Sequence, residues 1–458
     1  MFVRQHQAIP GGEGSFALSS WTTSTIRPVG ISRDRLTFYG GDGAILRQSV
    51  NDGVTWTLVN STAFPSGQIN GLYETDDGEA IVFISPIALP GKVYRSTGWS
   101  TSHTTATWTL VLTATGGSVN NYGLNSAVFG DDVLFPGTGK YGVIGCYGTQ
   151  TPVSGDATTS GRYVYFTGDY GATWSLVFDL YTWSGNTAGM HIHSAAYDPW
   201  WDRLWVAWGD VQMNSKLDVV YSDDHGATWT QLDALPSTYS ALGAMQSTTV
   251  LPRPDYILFG SDPNQGLWMI PRKGYRVFDK LSIIYMNSGG TANTSISTQL
   301  NSLRGGLGFP VFHSWTTERV DMMAGFSVCY DGTTFQRVFD YPQPSLRAVN
   351  VIFGPSVSGK LLIGAQLSTT YYLLIGDLVR PEEGTLAVRL EAVGDGVTTV
   401  FNIPHYQNRV PVTATAYPQS AAALGANTLS SDATNMTITF SVAPANLAIV
   451  QVAILIRP

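Results

Sequence analysis

Two histidines separated by a single residue, His191 and His193, have the clearest chemical potential in this 458-residue sequence. On a β-strand, residues two apart point to the same face, and two neighbouring imidazoles are able to bind a metal ion. A third ligand is not evident from the pattern, and Asp210 and His225 are the candidates for it. We weigh metal binding against contact with an organic ligand, and we favour a hydrogen-bonded structural role over both.

Several aromatic side chains near predicted loops have the chemistry to bind a sugar. Aromatic rings stack on the apolar faces of pyranose rings, and Tyr and Trp add a polar hydrogen-bonding group. Packing against neighbouring strands is the alternative role for each of them. The candidates are Trp183, Trp200, Trp201, Tyr239 and Trp315.

The composition argues against several classes of function. The net charge is −8, and Lys and Arg form no run, which argues against binding to nucleic acid. No stretch approaches the roughly 18 apolar residues that insertion into a membrane requires, and residues 1–14 lack the apolar core of a signal peptide. Cys146 and Cys329 form no CxxC pair, which favours two buried thiols over a zinc site or a disulfide. We expect no cofactor.

A short pattern, S/T-x-D/N-x-G-x-T-W, occurs at residues 49–56, 167–174 and 222–229. It predicts a hairpin loop, because the Asp or Asn side chain accepts hydrogen bonds from backbone N–H groups further on and the Gly permits a positive φ. The Trp then begins the returning strand and covers the apolar side of the hairpin. We assign structural roles to the repeat residues, which are Ser49, Asn51, Gly53, Trp56, Thr167, Asp169, Gly171, Trp174, Ser222, Asp224, Gly226 and Trp229.

These hairpins predict an all-β chain whose main domain is a β-propeller. A four-stranded unit that carries the loop between its last two strands accounts for the repeat, and units of roughly 40 to 65 residues suit propeller blades. We predict seven blades, with six or eight as alternatives, over residues 21–380, after an N-terminal arm over residues 1–20. A β-sandwich or a parallel β-helix is the alternative fold. The predicted units are residues 34–60, 71–112, 125–180, 190–233, 246–285, 305–341 and 347–378.

The repeat resembles the Asp-box, or BNR, repeats of sialidase-type propellers. That resemblance implies that the loops lie on the outer rim, away from the central pocket. A sialidase needs three arginines for the substrate carboxylate, an Asp acid/base and a Tyr–Glu pair. The nearest match to the family's Arg-Ile-Pro motif is Ile26-Arg27-Pro28, so we favour a non-catalytic protein, with a glycoside hydrolase as the alternative. The other arginines and acidic residues considered for catalysis are Arg33, Arg35, Arg203, Arg253, Arg304, Arg319, Arg347, Asp198, Asp202, Asp210, Asp255, Asp262 and Glu318.

A polar linker at residues 379–384 separates a second pattern of short strands over residues 385–458, which predicts a small β-sandwich. Residues 394–405 and 431–444 resemble modules at the ends of bacteriophage tail fibres. That resemblance implies a virion protein that is made in the host cytoplasm without a signal peptide and is released by lysis.

Together the two resemblances imply a tail fibre or receptor-binding protein that recognises a host surface glycan without catalysis. Its expected partners are other tail proteins, the host glycan or receptor, and copies of itself, with a trimer favoured. The alternatives are a propeller glycosidase or polysaccharide depolymerase, and a purely structural connector in the tail or baseplate.

Overall fold

A computed structural model supplies the coordinates. It describes residues 3–7, 15–60, 64, 67–85, 91–114, 118–119, 140–147, 161–185, 190–199, 201–209, 218–232, 246–252, 256–262, 266–274, 277–278, 282–286, 296–302, 310–316, 325–329, 335–340, 346–354, 356–367, 370–379, 386–393, 397, 399–404, 413–418, 427–431, 435–444 and 449–457.

The described residues are almost entirely β-strands in small antiparallel sheets, which confirms the predicted all-β class. A short α-helix, α1 (Leu180–Ser184), interrupts them. No helix within the described ranges is long and apolar enough to cross a membrane. Seven of the sheets follow one another along the chain, and we number them sheet 1 to sheet 7 in that order.

The strands of sheets 1 to 4 are given first. Sheet 1 contains β3 (Arg27–Ile31), β4 (Phe38–Asp42), β5 (Ile45–Ser49) and β6 (Thr57–Asn60). Sheet 2 contains β7 (Gln68–Glu74), β8 (Ala80–Ser85), β9 (Lys92–Thr97) and β10 (Thr107–Thr113). Sheet 3 contains β11 (Ser118–Val119), β12 (Gly142–Tyr147), β13 (Tyr163–Thr167) and β14 (Ser175–Asp179). Sheet 4 contains β15 (His191–Asp198), β16 (Arg203–Gly209), β17 (Val219–Ser222) and β18 (Thr230–Gln231).

The remaining sheets follow. Sheet 5 contains β19 (Gln246–Pro252), β20 (Tyr256–Asp262), β21 (Gly266–Gly274), β22 (Val277–Phe278) and β23 (Ser282–Met286). Sheet 6 contains β24 (Ile296–Ser302), β25 (Pro310–Thr316), β26 (Gly325–Cys329) and β27 (Phe335–Asp340). Sheet 7 contains β28 (Leu346–Phe353), β29 (Lys360–Leu367), β30 (Thr370–Val379) and, on its outer edge, β2 (Ser15–Thr23).

Two further sheets belong to residues 385–458, which we call the C-terminal module. One contains β31 (Leu386–Val393), β33 (Thr413–Pro418) and β36 (Ile449–Arg457), with β1 (Val3–Gln7) on the edge of β31. The other contains β32 (Val400–Pro404), β34 (Asn427–Ser431) and β35 (Asn435–Phe440). The face-to-face packing that would make these two sheets a sandwich stays a prediction.

The seven sheets form a closed ring. Each sheet packs on the next one along the chain, and sheet 7 packs on sheet 1 through β28 and β3. Because β2 supplies the outer strand of sheet 7, strands from both ends of the ring-forming segment complete one sheet. A closed ring leaves few exposed sheet edges, which is why this arrangement suits short antiparallel strands.

Residues 1–20, which we expected as an arm, contribute strands to both parts of the chain. Strand β1 pairs with β31 of the C-terminal module, and β2 pairs with β30 of sheet 7 over its whole length. Both pairings join residues about 350 or more positions apart in sequence, and local residue patterns carry no information about such partners.

The three repeat loops have closely similar hydrogen-bond networks, shown here by the third copy; in the first copy Asn51 Nδ2 donates to the Thr55 hydroxyl. The Ser222 hydroxyl donates to Asp224 Oδ1 at 2.8 Å and accepts from the Gly226 N–H at 2.7 Å. Thr228 donates to Asp224 through both its N–H (2.8 Å) and its hydroxyl (2.6 Å). The hydrogen bond from the Thr228 hydroxyl and those from the Thr228 N–H and the Ser222 hydroxyl lower the pKa of the Asp224 carboxyl. This network confirms the expected Asx-type loop.

The repeat loops also tie neighbouring sheets together. A side-chain carbon built at Gly226 lies 2.5 Å from the Cβ of Val177 in sheet 3, and one built at Gly53 lies 2.7 Å from Leu362 in sheet 7. The Trp229 indole N–H donates to the Val177 carbonyl at 3.0 Å. Each repeat glycine therefore faces the preceding sheet at a distance that excludes a side chain, in addition to having a positive φ.

The incomplete copy in sheet 2 obtains its carboxylate from another turn. Glu79, between β7 and β8, accepts from the Ser96 hydroxyl at 2.6 Å and from the N–H groups of Gly98 and Trp99 at 2.9 and 3.1 Å. The loop between β9 and β10 is longer than the repeat loop, as expected for a copy with an expanded turn.

Replacing Gly226 with Ala tests the role of the inter-sheet contact. The positive φ of +97° costs about 1–2 kcal/mol for a residue with a Cβ, and the contact with Val177 adds about 1–3 kcal/mol of overpacking. Gly185→Ala is the matched control, because Gly185 has a φ of +67° and nothing within 4 Å of a built Cβ. Urea denaturation should show a larger loss of stability for Gly226→Ala than for Gly185→Ala. Equal losses at the two glycines would show that only φ matters.

Candidate functional site

The two ends of the ring differ in character. The repeat loops and the described turns between the first two strands of a sheet lie at one end, because Ser49, which begins the first repeat, pairs with Phe38 beside the β3–β4 turn. We call this the Asp-box face. Arg27 and His191 begin β3 and β15, at the opposite end of those strands. We call that end the mouth.

A β-bulge places His193 at the mouth end of β15. Ile192 pairs with Trp208 and Ser194 pairs with Ala207, so His193 is the extra residue of the bulge. Its Nδ1 lies 3.2 Å from the Ser247 carbonyl oxygen of β19, and Ser194 Oγ accepts from the Val250 N–H. The bulge therefore directs His193 toward sheet 5 and links the first strands of two sheets.

The two imidazoles are buried next to each other. His191 and His193 are 3% and 2% exposed, and their ring centroids are 4.7 Å apart. Burial, with the neighbouring His191 as a second cause, lowers the pKa of His193 to about 3. The His193 ring also occupies the space where a Cβ on Gly209 would lie. His193 is therefore neutral at physiological pH, which is the state that metal ligation or hydrogen bonding to Ser247 requires.

His225, one of the two proposed third ligands, does not join this pair. Asp210 lies outside the described residues, and His225 lies on the Asp-box face, where its Nε2 is 2.7 Å from Asp202 Oδ1. The described residues contain no group of three metal-binding side chains. The candidacy of His225 was wrong because strand spacing carries no information about which end of the ring a later loop occupies.

A buried ion pair on the Asp-box face connects sheets 4 and 5. Arg272 is 2.9 Å from Asp198 Oδ2, and their side chains are 6% and 0% exposed. Burial raises the pKa of Asp198 against the opposing effect of Arg272. The guanidinium of Arg272 lies 4.1 Å from the ring centroid of Trp201, and Arg203 forms two hydrogen bonds with Asp223. This cluster joins sheets 4 and 5. Because Asp198 is paired with Arg272 and Asp202 is bonded to His225, these two carboxylates do not form a reactive pair.

Arg27 differs from the six described arginines that form ion pairs with aspartates. Its guanidinium carbon lies 3.6 Å above the ring centroid of Tyr371, and none of the described carboxylates is within ion-pair distance of it. Burial lowers the pKa of Arg27 to about 10, so it stays charged at neutral pH. Six other arginines each pair with an aspartate, namely Arg33 with Asp76, Arg47 with Asp42, Arg95 with Asp77, Arg162 with Asp179, Arg203 with Asp223 and Arg272 with Asp198.

The predicted sugar-binding aromatics are divided between the two ends. Trp183 lies in α1, which joins β14 to β15 at the mouth, and its ring packs on Phe178 and Trp208 while remaining partly exposed. Trp201 lies on the Asp-box face and is 3% exposed, which leaves little of its ring for a sugar. Trp200 and Tyr239 lie outside the described residues, and for Trp315 only its place in β25 is described.

The remaining candidates separate in the same way. Arg33 and Arg203 lie on the Asp-box face, far from Arg27, so the described arginines do not form a triad. Arg35 lies in the β3–β4 turn. The residues Arg253, Arg304, Arg319, Asp255 and Glu318 lie outside the described residues, and the side chains of Arg347, Asp262 and Cys329 are not described. Cys146 is a buried free thiol, as expected.

Sequence reasoning missed Tyr371 and Arg272. Tyr371 is the second residue of β30, and it meets Arg27 only because sheet 7 closes on sheet 1. Arg272 ends a strand of sheet 5 with no motif around it. Hydropathy alternation places both residues on strands, but contacts between sheets determine their partners.

A ring of four-stranded sheets with its first strands at the centre defines a β-propeller, and this confirms the predicted fold class. No protein-family model matches the chain, and no curated protein matches it.

Solved structures similar to this chain include three proteins of different function. An oligogalacturonate lyase in complex with manganese is 8% identical, covers 81% of this chain and 97% of its own, and has a TM-score of 0.49. YCF48 bound to D1 peptide is 11% identical, with coverages of 78% and 94% and a TM-score of 0.44. NanB sialidase from Streptococcus pneumoniae is 13% identical, with coverages of 80% and 70% and a TM-score of 0.35. At these identities the likeness concerns the fold alone.

The buried histidine at the β15 bulge makes stability depend on pH. Folded His193 gains its proton only near pH 3, whereas the unfolded chain gains it near pH 6.5. Its contribution is therefore complete above pH 6.5 and is lost as the pH falls toward 3, by up to about 1.4 kcal/mol per pH unit. Urea denaturation between pH 7.5 and 5 measures this slope.

His193→Gln is the variant that isolates this contribution. Its slope should be smaller than that of the wild type but not zero, because burial also lowers the pKa of His103. An unchanged slope in His193→Gln would contradict the assignment of this titration to the β15 bulge.

Proposed function

We propose that this protein is a non-catalytic, glycan-recognising component of a bacteriophage tail, and that the mouth of the propeller binds an acidic host glycan. The observation that carries the proposal is Arg27, a partly buried arginine at the mouth with an aromatic partner and no described carboxylate partner.

The arrangement of Arg27 suits an anionic ligand. A guanidinium whose central carbon lies over the Tyr371 ring has N–H groups that are able to donate two parallel hydrogen bonds to a carboxylate or phosphate. Partial burial strengthens such a bond, because the local dielectric constant is lower than that of water. The partly exposed Trp183 at the same end is a candidate for stacking on a sugar ring.

The absence of catalysis in the proposal rests on Asp198 and Asp202, the two of the six singled-out carboxylates whose side chains the structure describes. Asp198 forms an ion pair with Arg272. Asp202 accepts a hydrogen bond from the Tyr197 hydroxyl and lies 2.7 Å from His225 Nε2. Both lie on the Asp-box face, at the opposite end of the strands from Arg27. A glycosidase remains the second candidate function through the fold class, and its activity is a measurable outcome below.

The role in a tail rests on the C-terminal module. Its sequence resembles modules of phage tail fibres, and the chain passes between propeller and module twice, over residues 8–14 and 380–385. Strands β33 and β36 of the module pack on β2 of sheet 7. Two connections and a packed contact suit a protein that transmits force between a receptor and a virion. We propose other tail proteins and copies of this chain, as a trimer, as its partners in the virion.

Binding to an acidic polysaccharide from the host surface tests the site. Arg27→Gln should weaken binding by about 10- to 100-fold, because a hydrogen bond to a charged group contributes about 1.5–3 kcal/mol. Arg27→Lys should recover only part of the affinity, since Lys keeps the charge and loses the planar pair of donors. Arg47→Gln is the matched control, because Arg47 lies in the same sheet and already pairs with Asp42.

The same preparation distinguishes the alternatives. Release of reducing ends from the polysaccharide would show that the protein is a glycosidase and not a non-catalytic adhesin. Wild-type affinity in Arg27→Gln would remove the site from the mouth. A failure of the wild type to bind host cells, whether or not periodate has oxidised their glycans, would favour a structural connector.

A further inference from the structure

Strand β1 joins a sheet to which the rest of its chain segment does not belong. It pairs with β31 of the C-terminal module over Val3–Gln7, while β2, only seven residues further on, pairs with β30 of the propeller. The residues between β1 and β2 include Pro10 and three glycines. Strand β1 is therefore an added strand on the edge of a module whose other strands all come from residues 386–457.

The described attachment of β1 is its backbone pairing with β31. Its sequence, VRQHQ, contains one aliphatic residue and no large apolar side chain. Arg4 lies opposite Glu391, and Gln5 lies opposite Leu390, so the register gives one pair of opposite charges and otherwise little apolar pairing. A strand of this composition is matched to its acceptor by its backbone register.

The acceptor edge is longer and more apolar than the strand on it. Strand β31 has eight residues, LAVRLEAV, and all eight pair with β36 on its other side. Strand β1 covers only Val388–Ala392 of this edge. An edge strand that presents free N–H and C=O groups is a template for pairing with another chain, so β31 requires a partner strand whenever β1 is absent.

We propose that the edge of β31 is a strand-acceptor site through which copies of this protein exchange β1, so that Val3–Gln7 of one copy pairs with Leu386–Val393 of another. The exchanged pairing uses the same backbone hydrogen bonds, the same register and the same Arg4–Glu391 opposition as the pairing within one chain. Exchange of an identical element is a low-cost route to an oligomer because no new surface has to be complementary.

A second copy is the partner that supplies a strand of the same sequence in the same register. The alternating positions of β1 match those of β31 without a gap over five residues, and an identical chain supplies an identical strand. The balance between pairing within a chain and between chains then depends on protein concentration and on any further contact that holds the copies together. Exchange does not depend on glycan binding, so failure of one proposal leaves the other standing.

Two variants of the full chain test the exchange, each with one introduced cysteine in a background that carries Cys146→Ala and Cys329→Ala. Gln5→Cys and Leu390→Cys occupy partner positions in the register, and each is produced with a different affinity tag in the same cells. A disulfide between the two variants forms only between chains, because neither chain carries both cysteines. We expect a disulfide-linked pair that carries both tags on non-reducing gels, in a yield that rises with concentration.

Two controls make the outcome decisive. Ala387→Cys replaces Leu390→Cys as a mismatched partner, because Ala387 pairs with Leu455 and has no partner in β1. The double variant Gln5→Cys/Leu390→Cys reports that the strand pair is accessible to oxidation at all. Cross-linking within the double variant alone, with no mixed species from the single variants, overturns the proposal. Equal mixed species with Ala387→Cys overturns it as well.

Discussion

The contact between each Asp-box glycine and the sheet before it is the constraint on which the ring depends. At Gly226 and Gly53 the backbone adopts a positive φ and approaches a side chain of the preceding sheet so closely that a Cβ does not fit. The Ser–Asp–Thr hydrogen bonds around it hold the loop in that shape. A local motif therefore acts at long range, because a loop that is rigid by itself sets how one sheet meets the next.

Much of the propeller follows from sequence because its information is local. The repeat fixes the third and fourth strands of a sheet, and alternating apolar residues place the first two. The predicted first unit did not include strand β3, because Arg27–Ile31 contains a Pro and a Gly and shows little alternation of apolar and polar residues. The pairing partners of β1 and β2 were not predicted either, because the sequence of a short strand does not show which distant strand it pairs with.

The candidate site divides along the same line. The spacing of His191 and His193 correctly indicates two imidazoles side by side, yet the bulge that turns His193 toward Ser247 comes from pairing with β16. Arg27 is visible in the sequence as an arginine before a proline. Its distinguishing property, an aromatic partner in place of an aspartate, arises only when sheet 7 meets sheet 1. The sequence therefore shows which reactive side chains are present, whereas their electrostatic environments depend on contacts in the assembled ring.

The shared construction of sheet 7 has a consequence for biosynthesis. Strand β2 is synthesised long before its partner β30, which ends at residue 379. At translation rates of about 5–20 residues per second, β2 waits roughly 20–70 s on the ribosome before that partner emerges. Co-translational folding is able to assemble the intermediate sheets during this interval, but it leaves the ring open. Strand β2 therefore has no partner strand until β30 has been made, and a chaperone is suited to shielding it during that interval.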